Sequence, residues 1–266
     1  MNKPSPSVPK GIYPTKTKII VSLSFILVIG FYLISSILTE SFIFHFFAKI
    51  PNIFTLIGDF FPPDWSYINQ VWPKLMETIQ MAIVATTVAV IISIPFSLLT
   101  ANTVTTNTYV YQLMRFILNI LRTIPDIILA VVFVGLFGIG AFSGIVALII
   151  FSVGILVKLM SEIIETIDMN PTEAIRATGG NGIQTISFAI VPQVLPQFIS
   201  FSLYVFEINI RASLVLGLVG AGGIGQLLNK EINFLNYPAV STIIIIVFIV
   251  VVIIDYISSK LREGLI

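Results

Sequence analysis

Long apolar runs dominate the chain, and polar residues are confined to the segments between them. A helix needs about 20 mostly apolar residues to cross a bilayer. Runs of that length predict six transmembrane helices, at about 19–38, 79–99, 116–137, 142–160, 198–219 and 239–257. None of the runs alternates apolar and polar residues as the strands of a membrane β-barrel do. The pattern therefore predicts an all-α, polytopic membrane protein.

The connections between the runs predict how the chain is organised. Only Gly138–Gly140 separates the third run from the fourth, so these two helices are expected to form an antiparallel hairpin. The first run follows a polar stretch and ends without a small-residue cleavage site, which predicts a retained helix instead of a signal peptide. The predicted parts are a Pro- and Ser-rich disordered tail at 1–18, a first transmembrane helix at 19–38, an outer loop at 39–74, a core at 75–260 with a polar inner segment at 161–197, and a second tail at 261–266.

Lys and Arg residues predict the orientation, because they concentrate in cytoplasmic loops. A cytoplasmic N-terminus places nine of them inside and three outside, which favours both termini inside. The inner set is Lys3, Lys10, Lys16, Lys18, Arg115, Lys158, Arg176, Lys260 and Arg262, and the outer set is Lys49, Lys74 and Lys230.

Composition narrows the function classes. Hydrophobic residues make up 56% of the 266 and charged residues only 10%, whereas soluble domains carry about 25% charged residues. This deficit excludes an ordinary soluble enzyme, and a net charge of +1 gives no reason to expect nucleic acid. The chain has no cysteine and a single histidine, His45. No catalytic residue, metal site or cofactor is therefore predicted.

The polar segment at 161–197 predicts two short helices. Asn170 suits a helix N-cap, Pro171 the first helical position, and Glu173 the third position of a capping box. Gly179 can then end the helix in the left-handed conformation. A second start follows, with Asn181 as N-cap and Gln184 three residues later, and this helix is expected to stop or bend before Pro192.

We call this pair of helices, joined at Gly179–Gly180, the elbow. An exposed helical elbow on the cytoplasmic face offers a surface that another protein can grip. The alternative is a connector with no partner, although a connector does not need two capped helices.

The elbow carries a family resemblance. Glu173-Ala174-Ile175, then Gly179, then Ala189-x-Val191-Pro192 resembles the EAA loop of ABC importer permeases. Ile175, Ala189 and Val191 depart from the family pattern, each by exchange of one apolar residue for another. In that family the loop forms coupling helices that sit in a cleft on an ATPase subunit. The resemblance implies that Glu173, Ala174, Arg176 and Gly179 make this contact.

A longer stretch narrows the resemblance. The runs at 206–212 and 217–226, with Arg122-Thr123-Ile124-Pro125-Asp126 and 191–196, are similar to the permeases of phosphonate importers over about residues 70–260. The resemblance implies a type I permease of the bacterial cytoplasmic membrane that supplies half of a translocation path. It also implies a second copy or a paralogue, an ATPase subunit and an extracytoplasmic solute-binding protein. Methionine-type permeases rank second, because they share the elbow and the glycine-rich run but are not expected to share the intramembrane arginines.

Two acid–arginine pairs lie within the apolar runs. An ionised side chain at a helix centre costs about 2.5–3.5 kcal/mol on insertion scales. Arg122 and Asp126 are four residues apart, as are Glu207 and Arg211, so each pair is expected to meet on one helix face. The pairs predict a polar path in which the arginines bind an oxyanion and the acids orient them, or, alternatively, neutral pairs that only aid packing. Pro125 is expected to kink the third helix.

The glycine cluster at 220–225 fits the dinucleotide fingerprint G-x-G-x-x-G, but the preceding run is a membrane helix and no acidic residue follows about 20 positions later. Walker A spacing also fails, because Gln226 and Leu227 stand where Lys and Ser or Thr are needed. We interpret the cluster as an irregular turn at the outer mouth, either a gate or hinge together with Pro125 or a tight packing site. Its members are Gly220, Gly222, Gly223 and Gly225.

No Walker A motif occurs anywhere in the chain, so this chain is not expected to hydrolyse ATP itself, and an ABC permease would receive that energy from a separate ATPase subunit. Two other classes remain open. A membrane enzyme acting on lipid phosphates needs a nucleophile or metal cluster, for which the chain has little material. An ion channel or ion-coupled transporter leaves the elbow unexplained.

Overall fold

The computed structural model describes residues 15–39, 43–105 and 107–264, and the regular structure within these ranges is entirely helical. The chain divides into two compact units, residues 1–58 and 59–266. The helices are α1 (Thr15–Leu38), α2 (Ile43–Asp59), α3 (Ile68–Leu99), α4 (Thr108–Thr123), α5 (Asp126–Phe137), α6 (Ala141–Thr166), α7 (Asn170–Ala177), α8 (Gly182–Thr185), α9 (Val191–Leu218), α10 (Gly223–Asn233) and α11 (Tyr237–Glu263).

The first unit contains the predicted first span. Helix α1 begins at Thr15, inside the predicted tail, and the rest of that tail at 1–14 lies outside the described residues. Helix α2 was not predicted, because its segment was assigned to an outer loop. Pro51 lies inside α2, and a proline in a helix interior removes a hydrogen bond and is normally a sign of a break.

Six crossings are compatible with the described residues. Five helices are long and apolar enough to cross a membrane, and the bent pair α4–α5 makes a sixth. The helices are longer than predicted: α3 begins at Ile68, α6 continues to Thr166, and α11 runs into the predicted second tail as far as Glu263. The prediction of six apolar spans is confirmed. The predicted spans are shorter than the helices, because polar helix ends extend beyond the apolar runs.

The prediction of one continuous third helix at 116–137 is wrong. Helices α4 and α5 meet at an angle of 86°, and Ile124 between them is extended, with φ −83° and ψ 118°. The residue before a proline is disfavoured in the helical conformation, and Pro125 itself has no N–H to donate. The helix therefore ends at Thr123 and starts again at Asp126 instead of only bending.

Small residues bring the central helices together. On α3, Ala82, Ala85 and Ala89 are fully buried, and Ser93 continues the same stripe. On α6, a Cβ at Gly144 would lie 2.4 Å from the Ala221 carbonyl oxygen, so only glycine fits there. Membrane helices have no hydrophobic force between them, and close backbone approach at small residues supplies packing instead.

A buried polar node joins α3, α6 and α9. The Asn209 side-chain amide of α9 donates to Thr86 Oγ1 of α3 at 2.8 Å, and Ser152 Oγ of α6 donates to Asn209 Oδ1 at 2.9 Å. Asn209 and Ser152 are fully buried. Each side chain finds its partner on another helix, so the node sets how the three helices align.

Contacts at the two ends show that α3 and α6 run in one direction and α9 runs in the opposite one. At one end the Gly140 N–H donates to the Gly220 carbonyl at 2.9 Å, which joins the α5–α6 turn to the turn after α9. At the other end the Asn102 N–H donates to Glu165 Oε1 at 2.9 Å, close to where α6 leads into α7. We call these the turn end and the elbow end. The predicted hairpin at Gly138–Gly140 is confirmed.

The node predicts a stability effect. Asn209→Leu keeps a similar volume but leaves the Thr86 and Ser152 hydroxyls without this partner. Interhelical hydrogen bonds in membranes average about 0.6 kcal/mol each, so the loss should be roughly 1–2 kcal/mol. Thermal unfolding in lipid should show a lower midpoint for Asn209→Leu and little change for Asn233→Leu, because Asn233 is exposed and bonds only within α10. Equal midpoints for both variants would contradict a stabilising node.

Candidate functional site

The elbow begins differently from the prediction. Helix α7 has Met169 at the N-cap position with no side-chain cap, so the capping box predicted for Asn170 and Glu173 is wrong. The Asp168 carboxylate accepts a hydrogen bond from the Asn170 N–H at 3.0 Å instead. Asp168 lies two residues before the helix. Its carboxylate satisfies the Asn170 N–H, which the predicted capping box would have satisfied, and the helix starts one residue earlier than predicted.

The end of α7 confirms the prediction for Gly179. Its φ is +85°, a conformation that glycine adopts without steric cost. The Gly179 N–H donates to the Arg176 carbonyl and the Gly180 N–H to the Ile175 carbonyl, both at 3.0 Å. These two bonds form a Schellman motif, so Gly179–Gly180 reverses the chain at a defined angle.

The second helix of the elbow starts as predicted and ends elsewhere. Asn181 and Gln184 form a reciprocal capping box, with bonds of 2.9 and 2.8 Å. Of the two predicted outcomes before Pro192, a stop or a bend, the stop does not occur, because α8 passes through a π-helical turn at Ile186–Ile190 directly into α9. Pro192 directly follows this π turn, a local irregularity of the helix at which the missing N–H of a proline is accommodated.

The predicted contact residues of the elbow are all accessible. Glu173, Ala174, Arg176 and Gly179 are exposed. Two apolar neighbours that were not predicted, Ile183 and Phe188, have exposed fractions of 78% and 71%. Apolar residues in an otherwise polar segment were the available signal. The elbow therefore presents a mixed surface of charge and apolar area.

A side-chain brace connects the elbow to α9. The Gln193 amide donates to the Asp168 carbonyl at 3.1 Å and to the Ala189 carbonyl at 2.8 Å, and its oxygen accepts from the Asp168 N–H at 3.2 Å. Asp168, two residues before α7, is thereby tied to the first turn of α9. A displacement of α7 should therefore be transmitted to α9.

The second charge pair is confirmed and extended. Glu207 Oε1 contacts Arg211 Nη2 at 2.6 Å, and Glu207 Oε2 contacts Arg262 Nη2 of α11 at 3.2 Å. The Glu207 side chain is buried, while half of the Arg211 side chain is exposed. Sequence reasoning missed Arg262, which lies 55 positions away and was assigned to the orienting inner set. One carboxylate thus positions two guanidinium groups and leaves donors of Arg211 available.

The first charge pair is not formed. The break at Pro125 places Arg122 at the end of α4 and Asp126 at the start of α5. The ion pairs among the described residues include neither of them. Asp126 Oδ1 accepts from the Ile127 N–H at 2.9 Å, and its charge complements the positive end of the α5 dipole. The i,i+4 argument fails here because it assumes a continuous helix.

The glycine turn after α9 is a packed junction with side chains from α3. The φ values of Gly220, Gly222 and Gly223 are +90°, +84° and +71°. Glu77 Oε1 accepts from the Gly223 N–H at 3.0 Å, and Thr78 Oγ1 accepts from the Ile224 N–H at 2.8 Å. The first N–H groups of α10 are therefore capped by another helix. The Glu77 carboxylate already occupies this helix N-terminus, which is a physical reason against a nucleotide phosphate there.

Gly225 marks the closest approach at this junction. A Cβ there would lie 2.0 Å from the Leu214 carbonyl oxygen of α9, and a Cβ at Gly217 would lie 2.6 Å from the Gln226 nitrogen. Both obstacles are backbone atoms, which cannot move aside alone. These contacts support the packing interpretation of the glycine cluster.

The junction predicts a sharp difference between two glycines. Gly225→Ala should force α9 and α10 apart and lower the yield of folded protein several-fold in size-exclusion chromatography. Gly135→Ala in α5 is the matched control, since a Cβ there meets nothing within 4 Å. Normal behaviour of both variants would show that α10 is not packed on α9 in this way.

The sequence of the chain is similar to those of known membrane transport proteins. The profile of the family described as binding-protein-dependent transport system inner membrane component matches residues 93–263. The phosphite transport system permease protein of Stutzerimonas stutzeri is 37% identical over 214 residues, 80% of this chain and 78% of that protein. A putative cryptic phosphonate transport system permease protein of Escherichia coli is 42% identical over 117 residues, 44% of this chain and 96% of that protein.

A solved structure is similar in fold. A chain of the MetNI methionine ABC transporter, in inward-facing conformations, superposes with a TM-score of 0.67. The alignment covers 76% of this chain and 99% of the other, at 22% identity. At that identity the comparison concerns the architecture alone.

Proposed function

This chain belongs to the inner-membrane components of binding-protein-dependent transport systems, and from that premise we propose that it carries a phosphorus oxyanion through the membrane as the permease of an ATP-driven importer. The observation that carries the substrate class is the 37% identity with a phosphite permease over 80% of this chain. Phosphonate, phosphite and phosphate share a tetrahedral phosphorus centre with anionic oxygens. The choice among them falls to a solute-binding protein outside the membrane.

The elbow is the proposed docking site for the ATPase subunit. Glu173, Ala174, Arg176 and Gly179 are exposed on it, and Ile183 and Phe188 add apolar area that a partner can bury. The chain is proposed to be non-catalytic, so ATP hydrolysis belongs to the partner. Closure of two ATPases then moves the elbow, and the brace between Gln193 and Asp168 carries that movement into α9.

The exposed part of Arg211 is the proposed contact for the anion in the path. Glu207 fixes one side of the guanidinium group, while its other N–H groups can replace water around an oxyanion. The nearby acid also keeps the affinity low enough for release. Arg122 and Asp126 are proposed as further path residues at a different depth, no longer as a pair.

The proposed hinge is Pro125, where α4 and α5 separate at 86°. Gly220, Gly222, Gly223 and Gly225 are assigned the packing role, since three of the four are buried and a Cβ at each would meet an atom of another segment within 3.4 Å. A moving gate therefore involves α4 or α5 against this fixed junction. The break lets either helix rotate without disturbing the other.

The proposed assembly is a homodimer, with the path along its two-fold axis. Both termini are proposed to be cytoplasmic, which puts the elbow end inside and the turn end outside, where the binding protein delivers its ligand. Transport is then rigid-body alternation between inward-open and outward-open states. The alternative of a methionine permease rests on fold similarity at 22% identity.

Charge reversal in the elbow tests the docking proposal. Glu173→Arg should reduce co-purification with the cognate ATPase at least about tenfold, because it reverses the charge of an exposed residue at the proposed contact and so removes the electrostatic complementarity of the interface. Glu263→Arg is the matched control, because Glu263 is an exposed acid at the end of α11 and is not part of the elbow. Unchanged co-purification of Glu173→Arg would contradict the proposed contact.

Arg211 tests the path. Arg211→Ala should lower oxyanion uptake into proteoliposomes by about 10- to 100-fold, since a hydrogen bond to a charged group contributes about 1.5–3 kcal/mol. Arg211→Lys should recover part of the uptake, because it keeps the charge but loses the planar fork. Wild-type uptake by Arg211→Ala would mean that the arginine serves only its pairing with Glu207.

A further inference from the structure

A cationic cleft lies between α4 and α6 at the elbow end, apart from the Glu207–Arg211–Arg262 cluster. Arg115, Asn119 and Arg122 of α4 line one wall, and Lys158 and Ser161 of α6 line the other. The cleft has a volume of about 90 Å³, well above the roughly 10–15 Å³ that one ordered water needs. A small polyatomic ion fits this space.

The sequence builds this wall by helical spacing. Arg115, Asn119 and Arg122 are separated by four and three residues, so they share one face of α4. A Cβ at Gly154 would lie 3.0 Å from Arg122 Cγ. The missing side chain of Gly154 lets the aliphatic stem of Arg122 lie against α6, one turn before Lys158. The break at Pro125 ends α4 just beyond Arg122, so the α4 face that turns towards α6 stops there.

The charges in the cleft are only partly neutralised. Arg115 pairs with Glu165 at 3.2 Å, and Lys158 pairs with Glu162. Arg122 has no acidic partner within the described part of the chain, and the Asn119 amide has no hydrogen-bond partner there. The charge of Arg122 therefore remains uncompensated. The Lys158 ammonium group and the Arg115 guanidinium group lie beside it, and each has donors that its acidic partner does not use.

We propose that this cleft is a binding site for the phosphate or phosphonate group of a small anion. A guanidinium group donates two parallel hydrogen bonds to an oxyanion, and an ammonium group adds a point charge. The Asn119 amide supplies a neutral donor on the exposed rim. The anion bridges α4 to α6 when it binds. The inference that the ligand is an anion rests on the cleft alone. The inference that it contains phosphorus rests on the proposed function.

Two sources can supply such a group, namely a free oxyanion in the cytoplasm or an anionic lipid headgroup. The first arm of the test uses the permease–ATPase complex in nanodiscs of phosphatidylcholine and measures equilibrium binding of radiolabelled inorganic phosphate and of phosphite. The second arm uses nanodiscs containing phosphatidylglycerol and native mass spectrometry of retained lipid. The variants are Arg122→Gln and Lys158→Gln, and the control is Lys260→Gln, which removes an exposed cation from the end of α11.

We expect both cleft variants to weaken phosphate and phosphite binding about tenfold or more, with no change in Lys260→Gln. Lipid retention that is lost in the same two variants, without binding of the free anions, supports the site and identifies the headgroup as its source. Binding that is absent in both arms, or is indifferent to Arg122→Gln, overturns the proposal. If Arg122→Gln does not fold, Asn119→Asp places a negative charge on the exposed rim and must weaken binding in its place.

The same preparation separates this proposal from the proposed function. The binding protein is added with phosphite, and ATPase stimulation is measured. If phosphite stimulates ATP hydrolysis but neither an anion nor a lipid binds in the cleft, the cleft proposal fails and the proposed function stands. Stimulation by methionine and not by phosphorus oxyanions means that the proposed function fails, while a cleft that binds anions still stands.

Discussion

Inside a bilayer there is no water to satisfy a polar group, so each buried donor and acceptor needs a partner from the protein. Helices α3, α6 and α9 meet this requirement together. The Thr86–Asn209–Ser152 node links them in the interior, and Glu77 and Thr78 of α3 cap the first N–H groups of α10 at the turn end. Small residues on the same helix faces allow the close approach that these hydrogen bonds require.

The elbow and the α4–α5 pair differ in how they are attached to this centre of α3, α6 and α9. The elbow is attached to it on both sides, through α6 before α7 and through the π turn and α9 after α8. The brace between Gln193 and Asp168 removes freedom between the two attachments. In contrast, α4 and α5 are separated by a break at Pro125. The elbow is therefore connected directly to α9, whereas α4 and α5, beside the proposed path, form a bent pair.

Local signals in the sequence predicted local features well. The apolar runs identified the spans, Gly179 identified the reversal in the elbow, and the Asn181–Gln184 spacing identified a cap. The failures follow from interactions that the sequence does not display. Whether Pro125 bends or breaks a helix depends on the surrounding packing, and the break separated Arg122 from Asp126. Glu77 caps a helix 146 positions away, and Arg262 joins Glu207 across 55 positions. The elbow residues and the Glu207–Arg211 pair were predicted, while the brace and the cationic cleft required the structure.

The central claim, an ATP-driven permease for phosphorus oxyanions, is tested most directly by ATP hydrolysis in the reconstituted complex. The permease, its ATPase and its solute-binding protein are placed in lipid, and hydrolysis is measured with phosphite, a phosphonate, phosphate or methionine. A permease for phosphorus oxyanions should show stimulation by at least one phosphorus oxyanion and none by methionine. Stimulation by methionine alone, or transport by the permease without its ATPase, would contradict this claim.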